Sequence, residues 1–413
     1  MNQTKLKSFL TPAYLETFLF SLLLLLLPTQ LGKHFWPDFS QVYSLRIDYL
    51  AITVYFWDIL VYLLLMVAAF QRRAFNKSAG LLLLGFLICS SLSLFSPNWG
   101  VSLARLINWI PAGLFGWYIA SQNSERVKQK ILSILPLTIL YTTLIGLWQF
   151  VFGRTAGLWF LGERTFDLTT PGIATFNWYG QIFLRSYATF PHPNVLAAFM
   201  LLSGLLLLFL SNKNNKKLLV AHLAVILTIL MTFSRTVTGL YLPFVLFLFR
   251  KQSVYLGFLI IFLAPLLFVR FESAFNFDKL SLIRREELTE NAFLLIQQNP
   301  VVGVGLNNYI PVAVSSSFLT GTNRFLQPVH NIFLLMMVET GLVGLIALLI
   351  LFIVPLIMIG SDNLLTKQQV LTLLLVISIL GMLDHYFLTL PQGQRLIFMI
   401  WGLIWVKKLP VRH

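Results

Sequence analysis

The stretch "PVHNIFLLMMVETGLVG", Pro328 to Gly344, is apolar enough for the interior of a membrane, yet it carries groups that lipid excludes. An imidazole and an amide stand at its start, in His330 and Asn331, and the carboxyl group of Glu339 lies further in. An acid inside a membrane helix is costly and is therefore a candidate for a functional role. The stretch predicts a membrane helix with a polar end.

The whole chain has the composition of an integral membrane protein. Of its 413 residues, 57% are hydrophobic and 11% are charged. Apolar runs recur that reach the roughly 20 residues needed to cross the hydrocarbon core as a helix. Basic loops at the cytoplasmic surface, in contact with anionic membrane lipids, explain the formal charge of +15 better than nucleic acid does. We therefore expect an all-α polytopic membrane protein.

About twelve transmembrane helices follow from the apolar runs. We place them near residues 13–31, 52–70, 79–95, 101–120, 131–152, 193–211, 218–233, 236–249, 252–269, 329–359, 368–388 and 394–408. Basic residues cluster in alternate loops, and the positive-inside rule assigns those loops and both termini to the cytoplasm. No cleavage site follows the first run, so we expect it to be retained. The prediction is a single membrane domain, 1–413, with an extracytoplasmic insertion at 270–328.

This topology requires a turn inside residues 218–249. The stretch carries one charge, Arg235, and basic residues that belong on the cytoplasmic side flank both of its ends. The chain must therefore reverse between them, and the polar segment "TFSRTVTG", Thr232 to Gly239, is the place for the turn. Each half is shorter than the bilayer core, so we expect Arg235 at a tip recessed into the membrane.

Arginine predominates in the outer loops, whereas lysine predominates in the cytoplasmic ones. A guanidinium group binds phosphate through two parallel hydrogen bonds and stays charged when it is partly desolvated. The pattern indicates an extracytoplasmic site for phosphate or pyrophosphate. The outer arginines that could form it are Arg46, Arg105, Arg154, Arg164, Arg185, Arg235, Arg270, Arg284, Arg285, Arg324 and Arg395. The alternative is that these arginines pair with acids of their own loops.

An amphipathic helix is predicted in the insertion, from an N-cap at Ser281 to a stop at Asn299 and Pro300. Steps of about 100° place five residues on its apolar face: Leu288, Ala292, Phe293, Leu295 and Ile296. Arg285 falls within that face and Arg284 at its edge, where a buried cation needs a partner. The partner is either a structural acid or an anionic ligand, and the residues leave both open.

The helix after His330 places Gly341 and Gly344 on the same stripe as the imidazole. Small residues on such a stripe let a neighbouring helix approach closely. Glu339 lies on another side and about 13 Å deeper. It therefore does not pair with His330, and its own partner is left open.

Other polar groups are weaker candidates. His192 opens the helix of "PHPNVLAAF", where capping competes with a functional role. Asp384-His385 and Asp58 are isolated, and the glycines of "PVVGVGLNNY" suit a structural turn. The six histidines form no two-histidine helical motif, so no metal site is expected.

In their order along the chain, the main motifs resemble the O-antigen ligase and polymerase superfamily of membrane glycosyltransferases. The resemblance rests on His330-Asn331 followed by Gly341-x-x-Gly344, on "TFSRT" around Arg235, and on "REELTENAFLLIQQNPVVGVGLNNY", which aligns the family arginine with Arg285. "FPHPNVLAAFM" resembles a further family segment. Residues 185–345 carry these motifs, and Leu288 stands where many relatives have tryptophan.

The resemblance implies a GT-C-like fold and transfer of a glycan from an undecaprenyl-pyrophosphate donor at the outer face of the bacterial cytoplasmic membrane. It implies that His330 is the general base and that Arg235 and Arg285, together with Arg284 and Arg185, hold the pyrophosphate. Supporting roles fall to Asn331, Gly341, Gly344, His192 and Glu339. No metal or other cofactor is implied, and the anomeric carbon is expected to invert.

The acceptor separates the remaining possibilities. A ligase in the synthesis of lipopolysaccharide or another cell-envelope polysaccharide moves the finished glycan to a lipid or protein hydroxyl. A polymerase moves it to another lipid-linked glycan repeat. A transporter or flippase for the lipid-linked glycan is a third possibility, although no paired repeats support it. We favour ligase-type transfer, with a polymerase as the first alternative.

Overall fold

A computed structural model describes residues 11–92, 96, 98–178, 180–211, 216–249, 279–315 and 326–408 of the chain. The predicted span 252–269, and the predicted outer arginines Arg270 and Arg324, lie outside these residues. The described chain is mostly helical, as predicted from its composition.

The helices follow one another along the whole described chain. They are α1 (Pro12–Leu25), α2 (Phe56–Phe70), α3 (Lys77–Ser91), α4 (Trp99–Ala120), α5 (Ser124–Phe152), α6 (Pro193–Leu210), α7 (Lys216–Met231), α8 (Arg235–Phe249), α9 (Lys279–Gln298), α10 (Tyr309–Ser315), α11 (Ile332–Ile357), α12 (Lys367–Leu383), α13 (Tyr386–Thr389) and α14 (Pro391–Trp405).

Short strands interrupt the helical pattern in two of the connecting loops. They are β1 (Gly32–Phe35), β2 (Gln41–Val42), β3 (Leu45–Arg46), β4 (Ile52–Tyr55), β5 (Thr175–Trp178) and β6 (Gln181–Leu184). Among the described residues they form antiparallel two-stranded sheets that pair β1 with β4, β2 with β3 and β5 with β6. The all-α prediction is therefore wrong for these loops, where local turns bring short extended segments together.

Three described helices, α5, α6 and α11, are long and apolar enough to cross a membrane. Five shorter apolar helical segments accompany them: α1, α2, α3, Leu218–Met231 of α7, and α12. Each predicted span within the described residues overlaps a helix, although the span 13–31 runs past the end of α1 at Leu25 and the span 52–70 begins in strand β4. The architecture is that of a helical membrane protein, while twelve crossings and a GT-C-like arrangement stay predictions.

The predicted reversal inside residues 218–249 is present. Helix α7 ends at Met231 and α8 begins at Arg235, so the turn occupies residues 232–234. Phe233 takes a left-handed conformation there, with φ 50°, which a non-glycine residue adopts only where the turn requires it. The turn lies within the predicted segment 232–239, and Arg235 is the first residue after it rather than at its tip.

Contacts divide the chain into two compact units. Unit 1 comprises Met1–Leu27, Gly32–Ile131 and Ile283–His413, and unit 2 comprises Pro28–Leu31 and Leu132–Leu282. The prediction of a single membrane domain and of an insertion at 270–328 stays a prediction. The two units are described separately below.

The core of unit 1 is the close pair of helices α4 and α14. A Cβ atom on Gly402 would overlap the carbonyl oxygen of Gly116, and one on Gly116 would overlap that of Phe398. Small residues that let helix backbones approach are typical of membrane helix pairs. Among the described glycines this pair has the role that the sequence assigned to Gly341 and Gly344.

Helix α11 is broken at Gly341, so the predicted continuous stripe from His330 to Gly344 is wrong. Gly341 has φ 62° and ψ −164°, a region that is essentially restricted to glycine. A Cβ at Gly341 would overlap the carbonyl oxygen of Val301, whereas a Cβ at Gly344 would meet Thr340 of the same helix. Neither glycine therefore serves as the contact between two regular helices that the stripe implied.

The segment Pro300 to Gly305 fills this break. Carbonyl oxygens of Pro300 and Val301 accept from the N–H groups of Leu342 and Val343 at 2.9 and 3.2 Å. In return, the N–H groups of Val304 and Gly305 donate to the carbonyl oxygens of Val338 and Glu339 at 2.8 and 2.9 Å. These bonds satisfy backbone groups that a break would otherwise leave without partners in an apolar setting.

Helix α9 departs from its predicted pattern at two positions. It begins at Lys279, so Ser281 lies inside it rather than at its N-cap, and it ends at Gln298, just before the predicted stop. Leu288, Ala292 and Leu295 are buried as predicted, but Phe293 is 52% exposed. The buried stripe runs through Asn291 instead, because Asn291 and Leu295 are one turn apart on the same side.

Unit 2 is built around α6, most of whose length is buried. It packs against α7 and α8. Between α5 and α7, the hydroxyl groups of Thr143 and Thr228 lie 2.7 Å apart and hydrogen-bond. Thr189 in the same unit donates to the carbonyl oxygen of Pro28 at 2.8 Å. Polar side chains therefore join the elements of an otherwise apolar unit.

Candidate active site

His330 stands immediately before α11 because Asn331 caps that helix. The Asn331 Oδ1 atom accepts from the N–H groups of Phe333 and Leu334 at 2.9 and 3.1 Å. Side-chain oxygens at this position stabilise a helix start by satisfying donors that have no partner within the helix. Asn331 is therefore the N-cap of α11, and the side chain of His330 lies immediately before the start of the helix.

Two arginines of α9 lie close enough to His330 to act on its charge. Arg285 and Arg284 both interact electrostatically with the imidazole. Arg285 also donates from Nη1 to the carbonyl oxygen of Leu383, at 3.3 Å, which joins α9 to the last residue of α12. Both arginines that the sequence assigned to the pyrophosphate in this part of the chain therefore surround the predicted base.

A second histidine and an acid complete this cluster. Ligand-type atoms of His330, Asp384 and His385 all lie within 4.8 Å of one another. The two imidazole rings meet edge to face, with centroids 5.1 Å apart. Asp384 and His385 form the sharp connection between α12 and α13, and the backbone N–H of His385 donates to Asp384 Oδ1 at 2.8 Å. We call these residues, with Arg284 and Arg285, the histidine cluster.

Burial, and then the positive charges of Arg285 and Arg284, lower the pKa of His330 to about 4. Burial disfavours the charged imidazolium, and neighbouring cations disfavour it further. The imidazole is therefore neutral at neutral pH and keeps a lone pair. Its Nδ1 atom is buried and has no hydrogen-bond partner among the described residues.

Glu339, whose partner the sequence left open, braces the loop that fills the helix break. Its carboxylate accepts from the backbone N–H groups of Asn307 and Tyr309 and faces the guanidinium of Arg105. Arg105 also donates to Asn307 Oδ1 and to the carbonyl oxygen of Thr389, at 2.8 Å for the latter. Glu339 thus belongs to a buried support that reaches α13, next to His385.

Unit 2 holds a separate group of arginines around Arg185. The Arg185 side chain donates to the carbonyl oxygen of Thr232 at 2.7 Å and to Asn194 Oδ1 at 2.9 Å. Burial, and then the charge of Arg235, lower the pKa of Arg185 to about 10, while Tyr187 opposes this shift. Both arginines therefore lie near the 232–234 turn, and Arg185 remains a cation held by neutral acceptors. We call Arg185, Arg235 and Asn194 the arginine cluster.

His192 is the N-cap of α6, which is the capping role that the sequence offered as the alternative for this residue. Its Nδ1 atom accepts from the N–H of Asn194 at 3.1 Å. Nearby, Arg164 donates to the carbonyl oxygen of Pro191 at 3.0 Å and lies over the ring of Phe166. His192 therefore orders the turn that carries Asn194, one of the two groups that hold Arg185.

Two other arginines of the predicted outer set have structural partners instead. Arg395 is buried, lies 4.0 Å from Asp58 and stacks over Trp57 with 4.6 Å to the ring centroid. Arg105 is buried and faces the carboxylate of Glu339. The structural alternative for the arginine pattern is thus correct at these positions, and it also accounts for Asp58.

Comparison with known proteins agrees with the motifs. Residues 193–349 match the family model described as O-antigen ligase. The match confirms the predicted relation to the O-antigen ligase and polymerase superfamily. The matched segment includes Arg235, Arg285 and His330, whereas Arg185 and His385 lie outside it. No curated protein matches the chain.

Sequence reasoning missed three residues that the structure adds to these clusters. Asp384 and His385 formed a weak, isolated candidate pair, and Asn194 was passed over within "PHPNVLAAF". A polar residue in the first turn of an apolar helix was the available signal for Asn194. No local pattern could bring His385 to His330, because the two residues are 55 positions apart in the sequence (385 − 330).

Proposed function

We propose that this protein is a membrane glycosyltransferase that moves a glycan from a lipid-linked pyrophosphate donor to an acceptor hydroxyl. The observation that carries the proposal is a neutral imidazole, His330, beside Arg284 and Arg285 in a segment of the O-antigen ligase family. A base next to cations is the combination that this transfer needs. The bacterial cytoplasmic membrane is its proposed location, with the site facing outwards.

His330 acts as the general base. It takes the proton of the acceptor hydroxyl while that oxygen attacks the anomeric carbon of the donor. The bond from the anomeric carbon to the phosphate oxygen breaks, and the pyrophosphate leaves with the electron pair. Attack from the side opposite the leaving group inverts the configuration of the anomeric carbon. The proton then passes from His330 to solvent.

The arginines stabilise the charge that develops on the leaving pyrophosphate. Arg284 and Arg285 are placed to do so beside the base, and the anion they hold raises the pKa of His330 from its low value in the empty site. Arg185 and Arg235 form a second group of cations that suits phosphate. By the family resemblance, this second group is also proposed to bind pyrophosphate.

We propose ligase-type transfer first and polymerisation as its alternative; the matching family model, described as O-antigen ligase, supports the ligase and polymerase family in general. The acceptor is then a lipid or protein hydroxyl. A polymerase would use a second lipid-linked glycan repeat at the same site. Both reactions use the histidine cluster in the same way, so the structure supports them through the same residues.

The deciding experiment incubates purified protein with an undecaprenyl-pyrophosphate glycan and a lipid or glycan acceptor. We expect a glycosylated acceptor, free lipid pyrophosphate and inverted anomeric configuration. A single addition supports a ligase, and a ladder of products supports a polymerase. Movement of the intact lipid-linked glycan across proteoliposomes with no new glycosidic bond would overturn the proposal in favour of a transporter.

A further inference from the structure

The histidine cluster presents more lone pairs than a single general base requires. His330, Asp384 and His385 bring two imidazoles and a carboxylate within 4.8 Å. The proposed transfer uses one imidazole and assigns nothing to the other two groups. Two histidines and one carboxylate are a donor set that borderline transition metals bind.

The contacts of Thr389 favour one tautomer of His385. The Thr389 hydroxyl donates to the carbonyl oxygen of His385, at 3.1 Å, and lies 2.7 Å from His385 Nδ1. The tautomer that satisfies both contacts has the proton on Nδ1, which donates to the hydroxyl oxygen. In that tautomer Nε2 of His385 carries the lone pair.

This arrangement is the one that metal-binding histidines show. A histidine ligand usually donates its second ring N–H to a neighbouring oxygen, which orients the ring and makes the ligating nitrogen more basic. Thr389 supplies that oxygen for His385. His330 adds a ring nitrogen, Nδ1, that is buried without a hydrogen-bond partner among the described residues.

We propose that His330, Asp384 and His385 form an inhibitory site for a transition-metal ion of the Zn²⁺ class. A tetrahedral ion needs its ligand atoms about 3.4 Å apart, with bonds of about 2.0–2.2 Å, which small rotations of these side chains supply. The fourth position stays open to water. The ion binds the ring nitrogen whose lone pair His330 uses as the general base. The inhibitory role of the site therefore rests on the proposed function.

The neighbouring charges determine which ions the site accepts. Arg284 and Arg285 repel any cation, so a hard ion such as Mg²⁺, which would gain only one carboxylate, is excluded. Zn²⁺ and Co²⁺ gain two nitrogen bonds that offset this repulsion. Replacing Arg284 by glutamine should therefore tighten metal binding, whereas replacing His385 should weaken it.

The first test measures binding without any reaction. Purified protein without a polyhistidine tag is titrated with Co²⁺, whose visible absorption reports four-coordination, and Zn²⁺ is then used to displace it. We expect His385→Ala to weaken binding more than tenfold and Thr389→Val to weaken it about 10–100-fold. The matched control, His34→Ala, removes a histidine of unit 1 that pairs with Thr53 and should bind Co²⁺ like the wild type.

Unchanged Co²⁺ binding in both His385→Ala and Asp384→Asn, with each variant monodisperse in detergent, would overturn the site. Asp384→Asn keeps the shape of the side chain, so it tests the ligand even if His385→Ala does not fold. Binding of Mg²⁺ with equal affinity would also contradict the proposed donor set.

The second test asks whether the ion blocks transfer. Micromolar Zn²⁺ should abolish glycan transfer, and a chelator should restore it, with Mg²⁺ without effect. Metal binding with undiminished or stimulated transfer would overturn the inhibitory role and leave the site standing. If no transfer occurs even without metal, the proposed function fails, whereas the Co²⁺ titration still decides the metal site.

Discussion

The histidine cluster of unit 1 and the arginine cluster of unit 2 use the same basic residue in different settings. In unit 1, arginines stand beside two imidazoles and a carboxylate, and one of them, Arg285, is fastened to a helix end. In unit 2, Arg185 is held by a carbonyl and an amide oxygen, with no carboxylate partner among the described residues. The first cluster can move a proton, whereas the second can only hold an anion.

Loss of the imidazole should produce the largest effect, because only the histidine cluster contains a proton acceptor. We expect His330→Ala to lower the rate of transfer by about 10²–10⁴-fold, the usual contribution of a general base, with little change in donor binding. Single-turnover transfer with saturating donor measures this. His34→Ala is the control. Full transfer activity of His330→Ala would show that the histidine cluster supplies no general base, and the two clusters would then not differ in this respect.

Replacing arginine by lysine should affect both clusters by a smaller factor. Arg285→Lys and Arg235→Lys should each lower kcat/KM by about 10–100-fold, because lysine keeps the charge and loses the planar pair of donors. Arg154→Lys, at an exposed residue whose backbone pairs with that of Asp167 in an isolated β-bridge, should retain full activity. If Arg235→Lys were fully active, the arginine cluster would have no part in holding the pyrophosphate.

The helix break at Gly341 lies in unit 1, which holds the histidine cluster. A variant that removes the break should therefore be less stable. Gly341→Ala introduces a side chain at a conformation reserved for glycine and into the carbonyl of Val301. We expect a cost of about 1–3 kcal/mol and a lower Tm in detergent. Gly85→Ala, where an added Cβ meets nothing within 4 Å, should leave Tm unchanged or raise it. Equal Tm values for Gly341→Ala and Gly85→Ala would contradict the broken conformation of α11 at Gly341.

The smallest expected effect is a shift in pH dependence. With the pKa of His330 near 4, the base is protonated only below that pH, so kcat/KM for transfer should hold from neutral pH down to about pH 5. Removing a neighbouring cation raises the pKa of the imidazole, so the acid limb of Arg284→Gln should move upwards. Arg164→Gln, in unit 2, should leave the limb in place. A limb that moves downwards in Arg284→Gln would contradict the electrostatic coupling.

The helices could be predicted from the sequence, because an apolar run long enough for the membrane identifies itself locally. The motif residues could also be predicted, since "TFSRT" and the His330 stretch each lie within one short segment. Arg284 and Arg285 could be identified as candidates from their positions on the amphipathic helix, and the family resemblance gave Arg285 its proposed role. The location of the turn before Arg235 followed from charge alone.

Features that depend on distant segments could not be predicted. The break at Gly341 requires the segment 300–305 to dock, and an angular projection of the helix contains no information about that segment. The same holds for Glu339, whose partners come from a loop and from α4. Phe293 was misassigned because a short helix covered on one side leaves some apolar residues exposed, and hydrophobicity does not distinguish the buried stripe from its edge.

The break in α11 has a consequence for how the chain is assembled in the membrane. A newly inserted α11 carries backbone N–H and C=O groups at Gly341 that lipid cannot satisfy, at several kcal/mol each. Their partners lie in 300–305, which is synthesised first. We therefore expect that segment to dock as α11 takes its broken form in the membrane, and His330 to reach its final position with that step.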